Sequence, residues 1–320
     1  MQQILLVTFP FFALVLCGYL AARSRILPLE AIPGLNGFVL FFALPCMLFR
    51  FAAGTPIGKL LDVGAFVVYL ACALVMIALT LKTTRKGAIG WNDAAYGTLA
   101  AAFPNSGFMG MPLLLSLLGA VAAGPVIVAL AIDMVITSSL CIALSRLDSA
   151  GTDGARMAAG KALRGIVANP LPWAILLGGL ASYSGLVLYG PLMRVIDMLA
   201  EAGSPTALFT IGAVLARSRM NLAARSDTPP RSDVAQLVLF KLLLHPLLIY
   251  GLGSLAMRAG LGLDPFALTV LVLVAALPSA SNVPMLAERY GADTGRVAQV
   301  VLVTTALAFF TFSAAVAILV

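Results

Sequence analysis

The stretch FPNSGFMGMPLLL, Phe103 to Leu115, lies inside 39 consecutive residues without a charge, Ala94 to Ile132. A run this apolar belongs in a bilayer, yet its middle holds Pro104, Asn105, Ser106, Gly107, Gly110 and Pro112. Proline removes a backbone donor and pushes the residue before it out of helical geometry, so the run predicts a span that unwinds near its centre. A second stretch, LPSASNVPMLA from Leu277 to Ala287, repeats the device, with Pro278 and Pro284 bracketing Ser279, Ser281 and Asn282. One interruption alone fits an ordinary kink. Two, each with an asparagine, point to a site, because irregular backbone at membrane depth persists only where it is buried in protein or lines a wet cavity.

The rest of the chain fits this setting. Of 320 residues, 61% are hydrophobic and 10% charged, against about 25% charged in soluble domains. A span needs roughly 20 apolar residues. Charge-free runs predict ten: 1–22, 31–49 and 63–81, two within 94–146 parted near Gly119–Gly124, then 165–185, 191–216, 234–257, 265–288 and 297–320. The fold class is an all-α polytopic membrane protein. Its organisation is a five-helix repeat over 1–147, a polar cytoplasmic loop over 148–164, and a second five-helix repeat over 165–320. An odd number of spans per repeat inserts the second upside down, the inverted-repeat plan of secondary transporters. Short matches support it: Pro45–Phe49 and Pro205–Phe209 share Pro-x-x-Leu-Phe, and Ala101-Ala102-Phe103-Pro104 matches Ala275-Ala276-Leu277-Pro278.

Of the 20 Lys and Arg, fifteen fall at one set of span ends, including Arg23, Arg85, Arg146, Arg217, Arg289 and Arg296. Only Arg50, Lys59, Arg194 and Arg258 fall at the other, which puts the first set in the cytoplasm and both termini outside. No basic segment precedes the first apolar run, so that run is expected to stay as a span. The net charge of +7 thus reads as orientation and not as nucleic-acid binding. Cys17, Cys46, Cys72 and Cys141 lie in apolar runs without paired spacing and suggest neither disulfides nor a metal site.

Unwinding at the two interruptions would expose helix ends, and with them free N–H groups and positive dipole ends. An anion is the natural guest. Candidate substrate-binding residues are Pro104, Asn105, Ser106, Gly107, Pro278, Ser279, Ser281 and Asn282, the amides and hydroxyls supplying donors and Gly107 giving access to the backbone. Asp133 sits inside the fifth span, where an ionisable group costs about 2.5–3.5 kcal/mol and needs a partner or water. Lys241 and His245 share a face of the eighth. These three are the coupling candidates. Asp133 and Lys241 are placed to pair; alternatively Lys241 snorkels to the interface and His245 only packs. Asp197 and Glu201, beside Arg194, read as an interfacial charge cluster. No cofactor is implied beyond a coupling Na+ or H+. With one histidine and no nucleophile, metal or Walker-type pattern, catalysis and direct ATP drive are not expected. A cation antiporter using Asp133 remains the alternative.

FFALPCMLFRFAA at Phe41–Ala53, FPNSGFMGMPLL at Phe103–Leu114, KLLLHP at Lys241–Pro246 and LPSASNVPMLAERYG at Leu277–Gly291 together resemble the auxin efflux carrier family in its bacterial branch. That branch includes proposed malonate and malate carriers. The resemblance implies the outline of bile-acid sodium symporters, with spans 1, 2, 6 and 7 as scaffold and spans 3, 4, 5, 8, 9 and 10 as transport domain. It also implies that broken spans 4 and 9 cross at the membrane centre, with Pro104, Asn105, Pro278 and Asn282 shaping a carboxylate site. Elevator-type movement, a homodimer and a bacterial inner-membrane location belong to the same expectation. The long cytoplasmic loop of the plant hormone carriers is missing.

Overall fold

The computed structural model describes residues 2–55, 62–85, 89–146, 170–186, 188–223 and 231–320, and these residues fold entirely as helices and their connections. In chain order the helices are α1 (Gln2–Arg23), α2 (Leu29–Gly54), α3 (Val63–Thr84), α4 (Trp91–Ala102), α5 (Ser106–Leu118), α6 (Ala120–Leu144), α7 (Pro170–Ser184), α8 (Gly190–Ala223), α9 (Asp233–Arg258), α10 (Pro265–Ala275), α11 (Val283–Arg289) and α12 (Thr294–Leu319). Six of them, α2, α3, α6, α8, α9 and α12, are long and apolar enough to cross a membrane, which makes this a multi-pass membrane protein. The expected polar loop at 148–164 lies outside the described residues.

Local chemistry sets the boundaries. Asp62, Asp264 and Asp293 cap α3, α10 and α12, accepting from the backbone N–H of Ala65 at 2.9 Å, Phe266 at 2.9 Å and Arg296 at 3.0 Å. Gly119, at φ +81°, turns the chain between α5 and α6 in a conformation a Cβ would oppose. Wide π turns at Val39–Ala43, Ser106–Gly110 and Phe240–Leu244 each precede a proline, Pro45, Pro112 and Pro246. The ring crowds the carbonyl four residues back, at Phe41, Phe108 and Leu242, and a widened turn relieves that clash. A fourth π turn, Asp133–Thr137, has no proline and begins at the buried carboxylate.

With little hydrophobic drive between helices in lipid, small residues decide how closely they pack. Helix α1 lies along α8, α2 packs on α7 and α8, α3 packs on α4, α6 and α9, α9 on α10, and α11 on α12. Gly178 of α7 meets the α2 backbone, where an added Cβ would stand 2.6 Å from the Phe49 carbonyl oxygen.

One charge assignment changes and another gains a partner. Arg296 counted as a loop cation, but it lies in α12 and is only 3% exposed. Its Nε donates to the Asp233 carboxylate and its Nη1 to the Asp93 carbonyl at 2.7 Å, tying α12 to α9 and α4. The charge cluster of Asp197 and Glu201 takes in Arg50 of α2, at 3.6 and 3.8 Å.

Candidate functional site

Helix α4 stops at Ala102 and α5 begins at Ser106, while α10 stops at Ala275 and α11 begins at Val283. The two gaps touch. The Asn105 N–H donates to the Pro278 carbonyl at 2.9 Å and the Ala280 N–H to the Phe103 carbonyl at 2.9 Å, an antiparallel bridge that sets Pro104 opposite Ser279. Neither proline has an N–H to give, so each gap takes its missing donor from the other. Asn105, at φ −78° and ψ 52°, forms a tight inverse turn closed by the Ser106 N–H on the Pro104 carbonyl at 2.8 Å. Its own carbonyl then accepts from Met109 at 3.1 Å and Gly110 at 2.9 Å. The backbone of Asn105 is thereby committed, and its side chain is left over.

What is left over defines the candidate site. Asn105 and Ser106 are 2% and 0% exposed, and Asn105 Oδ1, Ser106 Oγ and Asn282 Oδ1 are buried without a hydrogen-bond partner. A buried polar atom without a partner costs about 1–3 kcal/mol, and three such atoms lie near this one bridge. A half-turn of either amide presents its NH2 instead of its oxygen, and α5 brings the N–H groups of its first turn to the same place.

Not every expected residue is free to bind. Ser279 is structural in this arrangement: its Oγ donates to the Ala100 carbonyl at 2.6 Å and its N–H to Thr304 Oγ1 at 3.2 Å. Pro104, Gly107, Pro278 and Ser281 are buried at the same crossing. A Cβ on Gly107 would meet only Leu130 Cδ1, at 3.5 Å, an ordinary contact. The tighter of the two is Gly110, where a Cβ would stand 2.5 Å from Leu277 Cδ1.

Asp133 and Lys241 do not pair: no direct ion pair joins them among the described residues. Asp133, fully buried, accepts from the Tyr69 hydroxyl at 2.7 Å and from Thr137 Oγ1 at 3.1 Å. Thr137 lies four residues after Asp133 and so on the same face of α6. Lys241 does not snorkel either; it is 0% exposed and its Nζ donates to the Ala275 carbonyl at 2.6 Å, 3.3 Å from His245 Nδ1. The Tyr69 and His245 rings lie 6.3 Å apart, so the two groups adjoin. Tyr69, Thr137 and Thr304 escaped the sequence reading, and Gly110 entered it only as one of the residues that interrupt the span. Thr137, four residues after Asp133, was the one with a visible spacing signal.

The model of a family described as membrane transport protein matches residues 4–316. A protein of Rhizobium meliloti (strain 1021) named "Putative malonate transporter" is 30% identical over 314 residues, covering 97% of this chain and 94% of that protein. "Uncharacterized transporter YfdV" of Escherichia coli (strain K12) is 25% identical over 291 residues, covering 89% and 88%. An "Uncharacterized transporter" of Methanothermobacter thermautotrophicus is 26% identical over 300 residues, covering 92% and 91%.

Proposed function

We propose, from the premise that this chain belongs to the membrane transport protein family, the family of the auxin efflux carriers, and is a transporter rather than an enzyme, that it is a secondary carrier of small organic anions. Mono- or dicarboxylates such as malonate or malate would sit at the bridge between Pro104 and Ser279. The observation that carries this reading is the set of buried, unpartnered Asn105 Oδ1, Ser106 Oγ and Asn282 Oδ1 beside that bridge. The name of the Rhizobium relative supports the substrate class.

In this reading α4 with α5 forms the fourth of ten spans and α10 with α11 the ninth, in two inverted repeats with both termini outside, in a bacterial inner membrane. The mutual packing of α1, α2, α7 and α8 supports a scaffold against which the other helices move as an elevator, within a homodimer. Asp133, Lys241 and His245 remain the groups through which a proton or sodium ion could be coupled.

Thermal unfolding of the purified chain with a panel of mono- and dicarboxylates tests the reading, because a ligand that binds only the folded state raises its stability by mass action. A carboxylate that raises the melting temperature, with the rise lost in Asn105→Ala, is the expected result. A rise retained in Asn105→Ala places the site elsewhere. The second reading, a cation antiporter, draws on the full burial of Asp133 between two hydroxyl donors. Sodium-driven flux in proteoliposomes without any organic anion would favour it.

A further inference from the structure

In a continuous helix each carbonyl accepts from the N–H four residues on, so the Ala100 carbonyl would pair with Pro104 and the Ala275 carbonyl with Ser279. Both bonds are missing at the crossing, and side chains from other elements take their places. Pro104 has no N–H to give, and the Ser279 hydroxyl donates to Ala100 instead, at 2.6 Å. The Ala275 carbonyl accepts from Lys241 Nζ at 2.6 Å, and the Ser279 N–H goes to Thr304 Oγ1 of α12 at 3.2 Å. The bridge sets that direction: Pro278 and Ala280 turn their bonding groups toward Asn105 and Phe103, so the N–H of the residue between them faces the other way. Ser279 is 0% exposed, and without the threonine its N–H would be an orphaned donor in the interior. Thr304, also 0% exposed, gives its own proton to its helix, at 2.8 Å to the Val300 carbonyl or 3.1 Å to that of Val301, which leaves its oxygen only lone pairs to offer.

We propose that Thr304 is a positioning residue of the substrate site: by holding the Ser279 N–H it keeps the span broken and fixes the two asparagines relative to one another. Ser279 stands between them. Its neighbour Pro278 accepts from the Asn105 N–H at 2.9 Å, and on the other side Asn282 sits in a turn closed by the Val283 N–H on the Ala280 carbonyl at 3.2 Å. A Ser279 N–H that loses its acceptor is left unpaired in the interior, and relief by a shift of the backbone moves Asn105 and Asn282 with it. The proposal rests on the organic-anion reading above, in which those two amides meet the carboxylate; Thr304 acts on them through Ser279.

The test reads malonate affinity from thermal unfolding of the full-length chain in detergent over a series of malonate concentrations. Thr304→Val keeps the branched shape and removes the acceptor, and should weaken malonate binding about fivefold or more. Thr304→Ser brings the hydroxyl back and should return the affinity to within about twofold of the unaltered chain. Thr305 is the matched control, 5% exposed and bonded along its own helix to the Val301 carbonyl at 2.7 Å. Thr305→Val should leave malonate affinity unchanged. Equal affinities in Thr304→Val and Thr305→Val, with only the ligand-free melting temperature lowered, overturn the proposal and leave Thr304 a packing residue. A loss in Thr304→Val that Thr304→Ser does not rescue overturns it as well. Where Thr304→Val does not fold, Thr304→Cys, whose sulfur is a weak acceptor, is compared with Thr305→Cys, and equal affinities again overturn the proposal. Malonate binding that survives Thr304→Val fails this proposal alone. If no carboxylate in the panel shifts unfolding of the unaltered chain, the organic-anion reading itself fails and takes this proposal with it.

Discussion

Gly18 of α1 and Gly212 of α8 notch into each other's helices: a Cβ on Gly18 would lie 1.8 Å from the Phe209 carbonyl oxygen, and one on Gly212 1.8 Å from the Val15 carbonyl oxygen. The obstacle in both cases is backbone, which cannot swing aside as a side chain tip can. Gly18→Leu and Gly212→Leu should each force α1 and α8 apart, and overpacking of this kind costs about 1–3 kcal/mol or more. The expected outcome is a lowered melting temperature in detergent for each. The double variant should fall by less than the sum of the two, since one separation of the helices relieves both clashes.

The two glycines after Asn105 should behave differently. Gly110→Ala forces the Leu277 side chain to move and should lower the melting temperature with or without malonate. Gly107→Ala meets only an ordinary contact and should leave the melting temperature unchanged, while shrinking the malonate-induced rise if a ligand approaches that backbone. Equal effects of the two substitutions on both measurements would contradict this division of labour.

Tyr69→Phe removes one of the two hydroxyl donors to Asp133 and should destabilise the chain by about 1–3 kcal/mol, read from unfolding in detergent. Asp133→Asn keeps a hydrogen-bonding group of the same shape but no ionisable proton. If Asp133 couples transport to protons, malonate uptake by this variant in proteoliposomes should no longer respond to an imposed pH gradient. An undiminished response would remove Asp133 from coupling.

Arg296→Met leaves the Asp233 carboxylate without its counter-charge in a largely buried place, a change that costs about 3–5 kcal/mol in comparable pairs. Replacing both, Arg296→Met with Asp233→Leu, should recover much of that loss. A double variant as unstable as the single one would show that the bond to the Asp93 carbonyl, not the ion pair, holds α12 in place.

The legible parts of the site were those written in residue types with few other uses in a span. Pro104 and Pro278 mark the gaps, and Asn105 and Asn282 are amides where apolar residues would serve packing better. What escaped was chemistry carried by ordinary residues. Tyr69 looks like any aromatic in an apolar run, yet its hydroxyl fixes Asp133. The partner of Lys241 is a backbone carbonyl of Ala275, which no side-chain pattern announces, so an Asp133–Lys241 pair was the reasonable expectation from charge alone. Arg296 misled because the loop tally treats each cation near a span end as solvated, whereas Asp233 and the absence of a Cβ at Gly97 draw it inside. Gly18 and Gly212 carry their role in an absence of atoms, and absence has no periodicity.

The bridge has a consequence for how the protein is made. The Asn105 N–H and the Phe103 carbonyl wait for Pro278 and Ala280, which leave the ribosome more than 170 residues later. At about 5–20 residues per second that is a delay of roughly 9–35 s. Throughout it the nascent chain holds a gap that nothing yet emerged can close, so a polypeptide terminated short of Pro278 would carry an unsealed defect and fall to quality-control proteolysis.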